Sequence, residues 1–247
     1  MQSISNAEIK RIRSLAQKKY RDEYGLFVVE GEKMVAEAMD SGMEVTAVYR
    51  RDEIGEAAMA RISLLSSPSP VLALVRKPSG VRSGSPDGII RNGLYLALDT
   101  IRDPGNLGTI LRVADWFGAD AVFASPDTAD IFNPKVVQST MGAIFRVGFH
   151  YTDIPALCRS VSALGGRVYG TFLDGNDIYS AALATGKDCP VLLVTGNESE
   201  GISGEVAALC SDRLLIPPYP AGEPGSESLN AAVATALALA EFRRRTI

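Results

Sequence analysis

Two loops near the C-terminus combine small residues with polar side chains that can bind a ligand. The apolar runs at residues 191–194 and 214–216 are typical of strands that a parallel sheet buries on both faces. The loop TGNESEG follows the first run, and PPYPAGEPGSESLN follows the second. Because open α/β sheets bind ligands at the carboxyl ends of their strands, we expect the candidate site at these two loops.

A third candidate segment lies near the middle of the chain. The run LYLALD predicts a strand, DTIRDPG a turn, and NLGTILRVADWFG a helix that Asn106 caps and that ends at Gly118. Arg112 lies about one and a half turns into this helix, whose first turn faces the strand ends. Capping alone would explain Asn106, and a surface salt bridge would explain Arg112.

Several kinds of site are excluded by the scarcity of reactive residues. His150 is the single histidine, so a histidine-based zinc site cannot be built, and we expect no metal. No nucleophile-elbow sequence exists for His150 to serve, and no GxGxxG follows a strand. The three cysteines lack CxxC spacing, which favours free, largely buried thiols in a reducing cytoplasm. No apolar run is long enough to span a membrane, and the polar N-terminus lacks a signal-peptide core. The sequence therefore predicts a cytoplasmic protein without a membrane partner.

Two successive α/β alternations position these segments. The first predicts strands in GLFVVEG, VTAVYR and PVLALVRKP, with a helix at residues 52–62. The Gly, Ser and Pro residues of PSGVRSGSPDGIIRNG then favour a boundary between a domain at 1–88 and a domain at 92–247. In the second alternation we expect helices at 133–145, near 178–183, and after Leu229, with Ser228 and Asn230 near the start of the last helix.

A helix predicted at residues 5–19 carries a cluster of cations. Ser5 and Glu8 have the spacing of a capping box. The cations on and just after this helix are Lys10, Arg11, Arg13, Lys18, Lys19 and Arg21. Although the whole chain has a net charge of −4, such clustering favours a nucleic-acid surface as strongly as an ordinary solvated helix face.

Three segments together resemble the motifs of the SpoU class of RNA 2′-O-ribose methyltransferases in the SPOUT superfamily. They are DTIRDPGNLGTILRVADWFGAD, LLVTGNESEGIS and LLIPPYPAGEPGSESLNAAVA, and the resemblance covers about residues 93–243. KVVQSTMGAIFRV also resembles the segment between the first two motifs. The residues in the family's motif positions are Asn106, Gly108, Arg112, Gly196, Glu198, Gly201, Ile216, Pro217, Ser228, Leu229 and Asn230.

This resemblance implies an architecture, a cofactor and partners. It implies an α/β fold with a C-terminal SPOUT domain, a parallel sheet and a deep trefoil knot, although knots are rare in protein chains. A smaller N-terminal α/β domain, similar to ribosomal proteins, would bind RNA. The resemblance further implies S-adenosylmethionine as cofactor and a homodimer, paired through the C-terminal domain, whose active site forms at the interface. The implied substrate is RNA, with ribosomal RNA first and transfer RNA as the alternative.

The resemblance also implies roles for individual residues. Gly196, Ile216 and Leu229 would bind the cofactor. The residues implied to act on the RNA are Arg112, Asn106, Glu198, Ser228 and Asn230. The family proposal makes Arg112 a base, yet a protonated guanidinium has no free lone pair. Stabilising the developing alkoxide and binding the adjacent phosphate are open alternatives.

One loop departs from the family pattern, and two other functions are open alternatives. The loop between Pro218 and Glu227 is longer than is usual in the family, and its Gly and Pro residues favour an enlarged loop or lid over the cofactor. A non-catalytic RNA-binding protein on the same scaffold is one rival, and a nucleotide-binding protein with an ordinary open sheet is another. Binding alone would not require all five residues implied to act on the RNA.

Overall fold

The computed structural model describes residues 4–78, 88–220 and 227–246. Within these residues the chain forms two compact units. The first unit contains the described part of Met1–Ser79 together with Asp130–Arg146, and the second contains the described parts of Gly80–Ala129 and Val147–Ile247. The expected boundary between 88 and 92 stays a prediction, since residues 79–87 lie outside the described ranges.

The helices and strands alternate along most of the chain. In order they are α1 Asn6–Ser14, α2 Lys18–Tyr24, β1 Leu26–Glu30, α3 Glu32–Asp40, β2 Val45–Arg50, α4 Arg51–Ile54, α5 Glu56–Ile62, β3 Val71–Arg76, β4 Gly93–Asp99, α6 Pro104–Trp116, β5 Ala121–Ala124, α7 Pro134–Thr140, β6 Phe149–Tyr151, α8 Ile154–Ala163, β7 Arg167–Asp177, β8 Pro190–Gly196, α9 Gly204–Ala207, β9 Asp212–Leu215 and α10 Ala231–Arg244. None of the helices described here is long and apolar enough to cross a bilayer.

The first unit is built on an antiparallel sheet in the order β1-β3-β2. Ile12, Leu15 and Met59 pack with residues of β1 and β3 in its core. The segment Asp130–Arg146 joins this unit through an ion pair between Asp130 and Arg21. The Arg21 side chain is only 2% exposed, and its guanidinium lies 2.7 Å from the Asp130 carboxylate. The segment at 130–146 is therefore part of the N-terminal unit in space, although it is distant in sequence.

The predicted single helix at residues 5–19 is wrong, because α1 ends at Ser14 and α2 begins at Lys18. The Ser5 hydroxyl does cap α1, accepting from the Glu8 N–H at 3.1 Å. Arg21 explains the break, since its Nη1 donates to the carbonyls of Leu15 and Ala16 at 2.8 Å each. Arg21 thus supplies these carbonyls with the hydrogen-bond donor that a continuing helix would otherwise provide.

Two other predicted helices are also divided. Gly55 separates α4 from α5 within residues 52–62, with a φ of 88° that favours glycine. Within 133–145, α7 ends where Met141 and Gly142 adopt positive φ, and a short 3₁₀ turn follows at Ala143–Phe145. The helical periodicity of the sequence continues across both breaks, but the backbone leaves the helical conformation at each of them.

The second unit contains a parallel six-stranded sheet in the order β6-β5-β4-β8-β7-β9. β8 is buried along its whole length, as expected for a strand covered on both faces, and its neighbour β4 is buried beyond Gly93. The buried hydroxyls of Thr195 in β8 and Thr235 in α10 lie 3.0 Å apart, which links the C-terminal helix to the sheet. The predicted α/β class and parallel sheet are confirmed.

The short helix predicted near residues 178–183 is wrong. β7 continues to Asp177, and a turn follows it. Arg245 donates to the carbonyls of Ile178 and Tyr179 at 3.0 and 2.9 Å, and also to that of Ala181. These turn carbonyls accept from an arginine at the end of α10, so no local helix is needed to satisfy them.

The cysteines are free thiols, as predicted. Cys158 is buried and the other two are partly buried. Burial raises the pKa of Cys158 to about 12 and that of Cys210 to about 11. Both thiols are therefore protonated at neutral pH and are poor nucleophiles.

Candidate active site

The carboxyl ends of the two central strands lie side by side. Asp99 at the end of β4 is in register with Gly196 at the end of β8. The loops that follow these strands therefore leave the sheet at the same edge. β9 is parallel to β8, with β7 between them, so the loops after β8 and β9 also share this edge, as the sequence predicted.

Asn106 is not the cap of α6, which corrects the prediction. The helix begins at Pro104, and the Asp103 carboxylate accepts from the Asn106 N–H at 2.8 Å. Proline in the first turn after an aspartate is a common helix start. Since Asp103 provides the cap, the side-chain amide of Asn106 is available for other contacts.

The Asn106 amide joins two other predicted site residues. Its Nδ2 donates to the Glu198 carboxylate, and its Oδ1 accepts from Asn230 Nδ2 at 2.9 Å. Asn230 caps α10 as predicted, because its Oδ1 accepts from the N–H groups of Ala232 and Val233 at 3.0 and 3.3 Å. Residues from three distant segments thus form one hydrogen-bonded chain, Glu198–Asn106–Asn230, which we call the amide relay.

The helices that carry the amide relay are tied at both ends. The Asn106–Asn230 bond joins the start of α6 to the start of α10. At the other end, Arg243 of α10 donates to the carbonyl of Phe117 at 2.6 Å and to that of Gly118, just beyond α6. α6 and α10 consequently run in the same direction, and the position of the relay is fixed by two long elements.

Gly196 permits the tight loop that carries Glu198. A Cβ at Gly196 would overlap the backbone of Gly201 and Ile202. Gly201 itself has a φ of 70°, in the region that favours glycine. Both glycines are therefore required by the loop's own geometry.

Arg112 and Ser228 are not brought into the amide relay. Arg112 is exposed on α6, six residues beyond Asn106 and so about 9 Å further along the helix axis. Within the described ranges it makes no hydrogen bond or ion pair. Ser228 is exposed two residues before Asn230, and its side chain likewise has no hydrogen bond to a described residue. Their assignment to the site stays a prediction.

The residues expected to bind the cofactor surround the same edge of the sheet. Gly196 ends β8, Ile216 follows β9 and is half-buried, and Leu229 immediately precedes Asn230. Leu229 is 45% exposed, and its backbone groups make no hydrogen bond to another described residue. Leu229 thus presents an apolar side chain and unbonded backbone groups next to the polar side chains of the amide relay. Such a surface fits a ligand that has both apolar and polar parts. The predicted lid between Pro218 and Glu227 falls mainly on residues 221–226, outside the described ranges.

A separate open cleft of about 500 Å³ is lined by residues 174–176 and 210–213. Its lining includes none of the predicted site residues. Asp174 and Arg213 form an ion pair across part of it. The cleft therefore gives no support to the predicted chemistry.

Sequence reasoning missed several residues that position the site. Asp99, Thr100 and Asn197 connect the two strand-end loops by hydrogen bonds, and Asp103 caps α6. The Asp-Pro pair at 103–104 is a helix-start signal that could have identified Asp103. Asn197 lies in a loop composition typical of turns, but no pattern in the sequence indicates which strand end it contacts.

The chain is similar to known proteins along most of its length. The profile of the SpoU rRNA Methylase family matches residues 93–240, and that of an MRM3-like substrate binding domain matches residues 6–63. A curated relative, the 23S rRNA (guanosine(2553)-2′-O)-methyltransferase RlmP of Bacillus subtilis, is 29% identical over 98% of both chains.

Two solved structures resemble the whole chain. A putative RNA methyltransferase of the TrmH family from Porphyromonas gingivalis is 37% identical, with a TM-score of 0.85 over 98% of this chain and 99% of its own. An AdoMet-bound rRNA methyltransferase from Sinorhizobium meliloti is 31% identical, with a TM-score of 0.86 over 100% of this chain and 98% of its own.

Proposed function

This chain belongs to the SpoU rRNA Methylase family, and on that premise we propose that it transfers a methyl group from S-adenosylmethionine to a ribose 2′-hydroxyl of ribosomal RNA. The observation that carries the proposal is the amide relay. Glu198, Asn106 and Asn230 are separated by up to 124 residues in sequence, yet they meet in one hydrogen-bonded chain at the strand ends. A scaffold that had lost its chemistry would not need to retain this contact.

The chain's own residues fit the binding of S-adenosylmethionine. When bound, this cofactor supplies an electrophilic methyl group, so the protein's main task is to align the ribose oxygen with it. Gly196 keeps the β8 loop tight, while Ile216 and Leu229 offer apolar surface beside it. Asn106 uses both ends of its amide to hold Glu198 and Asn230 in place, which limits how the RNA and the cofactor can approach.

Arg112 would act on charge that develops during the reaction. Its exposed guanidinium can stabilise the ribose alkoxide or bind the neighbouring phosphate. The separation of Arg112 from the amide relay within one protomer fits a site that a second copy completes. In that arrangement, Arg112 of the partner subunit would face the relay.

The C-terminal unit offers a surface for such a homodimer. Three large apolar side chains are exposed on α6 and α10: Trp116 at 84%, Val233 at 48% and Leu237 at 39%. Burial of these side chains against a second copy would remove apolar area from water. We also propose that the C-terminal unit contains the trefoil knot that the family resemblance implies.

The first unit would capture RNA. Support comes from the match of residues 6–63 to the MRM3-like substrate binding domain and from the exposed cations Lys10 and Lys19. Ribosomal RNA is preferred over transfer RNA because the full-length relative RlmP acts on 23S rRNA, whereas a tRNA-methylating structure matches only 62% of this chain.

Two measurements on the purified protein test this function. Calorimetry with S-adenosylmethionine should give binding near micromolar affinity, about −8 kcal/mol. Labelled S-adenosylmethionine should then transfer its methyl group to ribosomal RNA. RNA binding without cofactor binding would instead support the non-catalytic rival, and exclusive labelling of transfer RNA would support the other substrate.

A further inference from the structure

The loop that carries Glu198 closes on itself. The N–H of Asn197 donates to the Gly201 carbonyl at 3.0 Å, and the Gly201 N–H donates back at 2.9 Å. The Asn197 Oδ1 accepts from the N–H groups of Ser199 and Glu200 at 2.8 and 3.2 Å. The backbone on both sides of Glu198 is therefore held by one asparagine.

The other end of the Asn197 side chain ties this loop to β4. Its Nδ2 donates to the Thr100 carbonyl at 2.9 Å. Thr100 has a φ of 63°, which is unusual for a β-branched residue, and its N–H donates to Ser125 Oγ at 2.9 Å. The Thr100 carbonyl is thus held in a fixed direction for Asn197.

Asp99 makes a second attachment between the same two segments. Asp99 is only 5% exposed, and its carboxylate Oδ2 accepts from the Ser203 N–H at 2.8 Å. Oδ1 accepts from the Thr100 hydroxyl at 3.2 Å. The loop from Asn197 to Ser203 is consequently fastened to the end of β4 at both of its own ends.

We propose that Asn197 is a positioning residue for methyl transfer, because its bond to Thr100 holds the Glu198 carboxylate on the Asn106 amide. Glu198 has a flexible side chain, so the placement of its backbone decides whether the carboxylate reaches Asn106 without further ordering cost. Asn197 acts only through Glu198 and touches no reacting atom. The inference rests on the proposed function and deepens it.

The chain provides a matched control at the opposite edge of the same strands. Asn92 precedes β4, and its Nδ2 donates to the Lys187 carbonyl, just before β8, at 3.1 Å. Asn92 and Asn197 therefore make the same kind of bond between the same pair of neighbouring strands. Only Asn197 lies at the end that carries the amide relay.

The experiment measures kcat, KM for ribosomal RNA and thermal stability for Asn197→Ala, Asn197→Asp and Asn92→Ala, each alone and combined with Glu198→Ala. Asn197→Ala should lower kcat roughly 10-fold or more, with little change in KM. Asn92→Ala should keep the wild-type kcat. In the Glu198→Ala background, Asn197→Ala should have no further effect, because it acts through Glu198.

Asn197→Asp keeps both acceptor bonds, loses the donor to Thr100 and places a carboxylate oxygen beside the Thr100 carbonyl. It should also lower kcat, and it carries the test if the alanine variant does not fold. The inference is overturned if the Asn197 variants match Asn92→Ala, or if their loss multiplies with that of Glu198→Ala. Failure of the proposed function is a separate result, since the wild-type protein would then transfer no methyl group at all.

Discussion

The two units use their polar residues in different ways. In the second unit, Glu198, Asn106 and Asn230 were predicted to share a site, and they meet in one relay. In the first unit, the cations predicted to face RNA are mostly engaged by the protein itself. Arg21 is buried against Asp130, and Arg13 donates to the Ser63 carbonyl at 2.8 Å.

The difference reflects what each pattern specifies. Glu198 lies two residues beyond a buried strand, so the sheet fixes its position, since parallel strands end at a common edge. Asn106 and Asn230 lie at the starts of α6 and α10, and hydrogen bonds between these helices hold them in place. A cluster of cations in the sequence does not determine which group each cation binds. A guanidinium with five donors can bind carbonyls and carboxylates inside the fold as readily as phosphates outside it.

Replacing Arg21 should have the largest effect and would separate its structural role from RNA binding. Arg21→Ala leaves Asp130 without its buried cation and two carbonyls without donors, so the first unit should lose about 3 to 5 kcal/mol of stability. Denaturant unfolding measures this, with Lys10→Ala as the exposed control. Equal stability of the two variants would show that Arg21 is dispensable for the fold.

Arg112→Ala should have the next largest effect, on catalysis alone. We expect roughly a 100-fold loss of methyl transfer, about 2.7 kcal/mol, with unchanged cofactor affinity and thermal stability. Arg159→Ala, at another exposed arginine of the same unit, is the control. Full activity of Arg112→Ala would assign Arg112 to the surface.

Arg112→Lys sharpens the role of this residue. Lysine keeps the positive charge but not the planar pair of donors. Near-normal turnover of Arg112→Lys would favour stabilisation by charge alone. A turnover as low as that of Arg112→Ala would favour binding of the phosphate or alkoxide by two guanidinium donors.

Gly196→Ala should weaken cofactor binding. The added methyl overlaps the Gly201 backbone, so the loop has to move, and the affinity for S-adenosylmethionine should fall about tenfold, or about 1.4 kcal/mol. The matched control is Gly204→Ala, because a Cβ there meets nothing within 4 Å. Calorimetry compares the two, and equal affinities would remove Gly196 from the cofactor site.

The smallest expected effect belongs to the exposed cations of the first unit. Lys10→Ala with Lys19→Ala should weaken RNA binding and reduce the magnitude of its log–log salt slope by about 0.7 to 0.9 for each phosphate that is no longer neutralised. Lys18→Ala is the control, since Lys18 already pairs with Asp22 at 2.5 Å. An unchanged slope would show that these lysines are only solvated. Point substitutions are needed because removal of residues 1–88 would strip β1 from α7, with which it packs.

Sequence predicted strands and motif positions better than helix continuity. The buried runs of β4 and β8 and the cap at Asn230 follow from local composition, and they were confirmed. The break after α1 and the missing helix near 178–183 depend on Arg21 and Arg245, which reach carbonyls at a distance that periodicity does not encode. Within the site, the hydrogen bonds of Asn197 and Asp99 join residues about 100 positions apart, so no local pattern could predict them.

The position of the transferred methyl group tests the central claim most directly. Ribosomal RNA lacking the modification is incubated with the protein and labelled S-adenosylmethionine, then hydrolysed in alkali, which cleaves only where the 2′-hydroxyl is free. The account predicts label in alkali-resistant dinucleotides, with an initial rate of labelling roughly 100-fold lower when Arg112→Ala replaces the wild-type protein. Label recovered in base-methylated mononucleotides would contradict the account.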